Sequence, residues 1–134
     1  MGYYQETKPT CVIDVLGTPY SVYMDVTKQD DPHIEHCDGY CDKTVKRIVV
    51  AGADDDNELA DFVVYAKTNL RHEIIHAFLF ESGLDGNSSW GNGQDDHPEQ
   101  MVEWLALQFT KIHKAFVEAG ALYGTVMIWR DMCS

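Results

Sequence analysis

The chain has 134 residues, 45% of them hydrophobic, with 22 acidic against 10 basic side chains and a formal net charge of −12. That length suits a single domain over residues 1–134 with one compact core. A field of this sign repels phosphate backbones, so nucleic-acid binding is not expected, and a protein or peptide partner fits better, a basic one best. The start MGYYQETKPT lacks a basic n-region and an apolar h-region. No uncharged run approaches about 18 apolar residues, so the expectation is a cytoplasmic protein with no membrane span.

The first third reads as β structure. Cys11–Leu16 and Tyr20–Val26 are rich in β-branched and aromatic residues and flank Gly17-Thr-Pro19, which predicts a hairpin. Lys46–Ala51 predicts a third strand. Between them HIEHCDGYCD reads as a polar loop, with Asp38-Gly39 as a turn. Without an export signal, Cys11, Cys37, Cys41 and Cys133 are expected as thiols. The spacing of His33, His36, Cys37 and Cys41 matches no structural zinc site with paired knuckles, so a plain loop is the preferred reading there. Asp54-Asp55-Asp56 with Glu58 reads as a solvated loop and helix start, where negative charge suits the helix dipole.

A helix follows. Leu70, Ile74, Ala77 and Phe78 recur at helical spacing, and Gly83 offers a stop. The pattern extends back through Ala66, Val63, Phe62 and Leu59, so one long helix from as early as Asn57 is preferred over a fresh start at Thr68-Asn69. Within it, residues 72–76 read HEIIH. On a helix, His72 and His76 project from one face about a turn apart, so both rings can reach one metal ion. Neutral imidazoles suit Zn²⁺, and two of them plus a third protein ligand leave a position for water. Glu73 beside that water is the candidate general base.

LDGNSSWGNGQDDHP then forms a long Gly/Asn/Ser-rich loop, a candidate lid or simple connection, with Trp90 as its large aromatic. From Pro98 onward, Val102, Leu105, Ala106, Phe109, Ile112 and Phe116 trace an apolar stripe ending at Gly120, which predicts a second helix. Glu99 and Glu103 flank that stripe near the core edge. A metal ion for Glu99 and an imidazole N–H for Glu103 would satisfy them. A capping box from Asp96 to Glu99, with Pro98 at the start, explains Glu99 equally well. His113 lies about 21 Å along the helix from Glu99, too far to share its metal. Tyr123–Trp129 is β-like in composition.

HEIIH followed by E-x-x-V-E-W-L-A resembles the ImmA/IrrE-type metallopeptidases, whose second helix carries E-x-x-A-N/D-x-F-A. It also parallels the wider gluzincin arrangement, in which a ligand Glu precedes by four residues an acidic residue that orients a ligand. RHEIIHAFLFESGL and EQMVEWLALQFTKI are similar to small H-E-x-x-H proteins from prophages of Gram-positive bacteria, a likeness that takes in DGYCDKTVKRIVV. The resemblance implies His72, His76 and Glu99 as ligands of one zinc per chain, Glu73 as base and Glu103 as the orienting carboxylate. SprT-like peptidases share H-E-x-x-H-A-x-L-F but take their third ligand from a histidine after a Gly-rich loop. His97 is therefore the alternative ligand, although Pro98 stands where those proteins have glycine.

The fold implied is α+β, a small twisted antiparallel-type sheet followed by two packed helices, the minimal zincin layout. In that layout an edge strand binds substrate backbone, and Ile48–Ala51 is the segment nominated by the resemblance. The expected activity is zinc-dependent hydrolysis of a peptide bond in a specific protein substrate. The alternatives are a metal-stabilised binding module and an acidic, phage-type inhibitor of a host factor without catalysis. An oxyanion-stabilising residue cannot be assigned by pattern; Tyr40, His36 and Tyr65 are the side chains considered.

Overall fold

The computed structural model describes residues 2–53, 60–84 and 99–122. Helix α1 (Tyr3–Glu6) precedes strands β1 (Cys11–Val15) and β2 (Thr18–Val26), a 3₁₀ turn (Pro32–His36), strands β3 (Gly39–Asp42) and β4 (Arg47–Ala51), and helices α2 (Phe62–Glu81) and α3 (Glu99–Glu118). Four strands and two packed helices make the α+β fold the pattern implied. The hairpin is tighter than Gly17-Thr-Pro19 suggests: β1 and β2 pair antiparallel with Val15 opposite Thr18. The turn is Leu16-Gly17, both at positive φ (51° and 90°), the twist that suits a two-residue connection.

The sheet order is β1-β2-β4-β3, with β2 parallel to β4 and the two outer ladders antiparallel. This corrects three expectations. The sheet is mixed where an antiparallel-type one was expected, because β2 and β4 pair in parallel. Residues 39–42 form a strand, the outermost on that side among the described residues, where the sequence reads as loop and turn. Ile48–Ala51, nominated as a substrate-binding edge, lies instead at the centre, its backbone engaged by β2 on one side and β3 on the other. Ile48, Val49 and Val50 are all fully buried, as befits a strand covered on both faces.

Alternation sorts the side chains into two cores. Tyr20, Val22, Ile48 and Val50 face α2 and pack with Val15, Ala66 and Ala77, joined at the margin by Leu70, Ile74 and Cys41. Tyr23, Val49 and Ile34 lie on the opposite face with Tyr3, Tyr4 and Tyr40. An irregularity between Tyr23 and Val26, where Asp25 has φ 57°, sets Val26 in that second core as well.

Helix α2 runs unbroken past Thr68-Asn69, so a single long helix forms there, but it does not reach back toward Asn57. It starts at Phe62, where the Asp61 carboxylate caps the N–H of Val64 at 3.2 Å, and ends before Gly83 at φ 83°. Helix α3 packs chiefly on α2 and ends at Gly120 (φ 66°), with the N–H of Ala121 returning to the carbonyl of Phe116. Of its predicted stripe only Val102 and Ala106 are fully buried, while Phe109 and Phe116 remain exposed. No helix among the described residues is long and apolar enough to cross a membrane.

Candidate metal centre

The register of α2 on the sheet decides where the H-E-x-x-H side chains go. Ala66, Leu70, Ile74 and Ala77 take the sheet-facing positions. This turns His72 and His76 toward α3, with side chains only 16% and 11% exposed, and leaves Glu73 at the border between α2 and β3.

From α3, Glu99 reaches across to both imidazoles. Its Oε2 lies 3.0 Å from His72 Nε2 and its Oε1 lies 2.9 Å from His76 Nε2. The two Nε2 atoms are 3.2 Å apart. These three residues form the group able to hold a metal ion among the described residues. In a tetrahedral zinc site with bonds of about 2.0–2.1 Å, neighbouring donor atoms sit about 3.3 Å apart. Here the two carboxylate oxygens each approach one imidazole, at 3.0 and 2.9 Å, and the two Nε2 atoms stand 3.2 Å apart, distances near that spacing, while a donor set of two imidazoles and one carboxylate is of the kind zinc takes. The Glu99 side chain is directed at His72 and His76, and Asp96, its partner in the capping-box reading, lies outside the described residues.

Glu103, one turn further along α3, lies with Oε2 2.7 Å from Nδ1 of His72. A carboxylate there stabilises the tautomer with the proton on Nδ1, so the Nε2 lone pair is directed at His76 and Glu99. Glu99 and Glu103 thus approach opposite nitrogens of the His72 ring.

Glu73 is 8% exposed and packs against the bare Cα of Gly39; a Cβ there would stand 3.5 Å from its Oε2. Burial is the main reason its carboxyl is pushed up to about 7, with His72 opposing the shift and the negative charges of Glu99 and Glu103 adding to it. Beside two imidazoles and a carboxylate, such a group can accept a proton and return it.

Of the remaining candidates, those among the described residues do not join this centre. His97, Trp90, the Asp54–Asp56 run and the β-like segment 123–129 lie outside the described residues. Tyr40 faces the far side of the sheet and donates to Asp31, which also accepts from Tyr4 and the His33 N–H. Tyr65 donates to Asp38 at the start of β3. His36 ends the 3₁₀ turn. Cys11, Cys37 and Cys41 are free thiols, and His113 stacks on Phe109.

Sequence reasoning missed the close approach of Gly39 to Glu73, because the glycine reads as part of a turn and not as a strand residue facing a helix. It also missed the open groove of about 540 Å³ beside the centre, lined by His72, Glu99, Gln100, Glu103, Trp104 and Leu107. No protein-family model matches the chain, and no curated protein or solved structure is significantly similar to it.

Proposed function

We propose that this protein is a zinc-dependent peptidase that hydrolyses a peptide bond in a protein or peptide substrate, with one zinc held by His72, His76 and Glu99. The observation that carries the reading is the convergence of these donors at 2.9–3.2 Å, with Glu103 behind one imidazole and Glu73 alongside. Bound there, zinc would supply Lewis acidity, polarising a carbonyl and lowering the pKa of water to about 7.

The protein's own groups would do the rest. The Glu73 carboxylate takes a proton from the attacking water as its oxygen bonds to the carbonyl carbon. It delivers that proton to the amine as the C–N bond breaks, so water and peptide yield one acid and one amine. Glu103 keeps the His72 ring fixed throughout. An extended substrate pairing along the outer edge of β3 would pass next to Glu73, because Gly39 brings strand and carboxylate together. The net charge of −12 favours a basic substrate segment.

A second reading has its own support. Met101, Trp104, Leu107, Phe109 and Phe116 are exposed along α3, as on a protein-binding surface, and in that case the metal would only brace the helices. Glu73→Gln separates the two. Under the peptidase reading it abolishes cleavage and leaves zinc content unchanged; under the binding reading wild type and variant are equally inert and bind the partner equally well.

A further inference from the structure

The proposed chemistry leaves Arg71 without a role, although it directly precedes His72. Its guanidinium turns to the neighbouring helix: Nε donates to the carbonyl oxygen of Ala106 at 2.7 Å, while Nη2 donates to Oγ1 of Thr68 at 3.2 Å. The Thr68 hydroxyl in turn donates to the carbonyl of Val64 at 3.1 Å. The arginine is thus braced by its own helix as it grips the main chain of the next. A helix carbonyl has two lone pairs and spends one within the helix, so Ala106 can accept this bond without losing its own.

Helix α3 needs such a grip. Apart from the carboxylate–imidazole contacts of the centre itself, it is held by packing, with Val102 and Ala106 its fully buried side chains, and non-directional packing resists separation far more than sliding. Glu99 is 61% exposed at its side chain, so packing does not immobilise it. A slip of one residue would move the carboxylates about 1.5 Å along the axis and about 100° around it. Donor atoms of a metal site must hold their places to about 0.2 Å. A directional bond of 2.7 Å, from the residue next to His72 to the residue three beyond Glu103, opposes both motions.

We propose that Arg71 is a positioning residue that fixes the register of α3 on α2, and thereby sets Glu99 and Glu103 against His72 and His76. The inference rests on the zinc-centre reading, and its test must keep the two apart. Zinc affinity is measured by chelator competition on wild type, Arg71→Ala, Arg71→Lys and Thr68→Val, at a temperature where each metal-free protein is folded. Arg71→Ala is expected to bind about tenfold more weakly while still reaching one zinc at saturation, and Arg71→Lys to recover part of the loss, because its single ammonium nitrogen can donate to the Ala106 carbonyl without the guanidinium's fork. Thr68→Val, which removes only the brace, is expected to weaken binding about threefold. Wild-type affinity in the folded Arg71→Ala protein, whatever its melting temperature, would overturn the proposal and leave the zinc centre standing. If Arg71→Ala does not fold, wild-type affinity in both Arg71→Lys and Thr68→Val would overturn it. A wild-type protein that binds no zinc would remove the centre itself, a separate failure.

Discussion

Glu103 and His72 are joined across the two helices, the carboxylate Oε2 2.7 Å from the imidazole Nδ1, and that bond turns the ring's other nitrogen toward His76 and Glu99. If this orientation is what makes the ring a ligand, Glu103→Ala should weaken zinc binding about 10- to 100-fold without changing the stoichiometry. Glu103→Gln, which keeps an acceptor, should fall between. Chelator competition measures both, and an unchanged affinity in Glu103→Ala would show that the carboxylate does not tune the ring.

Gly39 is a steric requirement. A Cβ at this position would stand 2.8 Å from the carbonyl oxygen of Val49, a main-chain atom of the central strand, and 3.4 Å from Cγ of Glu73. Because a sheet carbonyl cannot step aside as a side-chain tip can, Gly39→Ala should displace β3 and cost about 1–3 kcal/mol in urea unfolding. A cost below about 0.5 kcal/mol would mean that the strand edge yields freely.

The same strand shows where the sequence is informative and where it is silent. HEIIH and the Glu99/Glu103 spacing were legible, because helical periodicity alone puts four-apart residues on one face; Leu70, Ile74 and Ala77 then determine which face meets the sheet. Gly39–Asp42 was not legible, since a glycine and two aspartates near a turn carry little β preference, and the strand exists through its pairing with β4. The parallel match of β2 with β4 was hidden for a related reason: local patterning does not name a strand's partner. A signal for the central place of β4 was present in the consecutive Ile48-Val49-Val50, an unbroken apolar run in place of the alternation of a half-exposed strand.

Asp31 gives the fold a defined acid sensitivity. Burial alone would raise its carboxyl, but the hydroxyls of Tyr4 and Tyr40 and the N–H of His33 outweigh burial and hold it at about 2, below the ordinary 3.8. A depressed folded pKa stabilises the protein fully above the unfolded value, and the contribution is lost as pH falls from about 4 to about 2. Urea unfolding at pH 6 and at pH 3 should therefore show a smaller loss of stability for Asp31→Asn than for wild type, since the variant has no carboxylate left to protonate. Equal losses would assign the acid sensitivity to other carboxylates.

Trp104 is 57% exposed and lines the groove beside His72 and Glu99. With little packing to lose, Trp104→Ala should change stability by no more than about 0.5 kcal/mol. Zinc content should stay at the wild-type level. If substrate side chains lie in this groove, KM for peptides cleaved by the wild type should rise while zinc affinity stays fixed. An unchanged KM would place the substrate elsewhere.

The centre itself is tested most directly by elemental analysis of protein purified without chelator or His-tag, comparing wild type with Glu99→Ala and His97→Ala. About one zinc per wild-type chain, lost in Glu99→Ala and kept in His97→Ala, is the result that two imidazoles and one carboxylate at 2.9–3.2 Å require. Loss of zinc in His97→Ala with retention in Glu99→Ala would contradict this ligand set, and a wild type without metal even after zinc is supplied would contradict the peptidase reading as a whole.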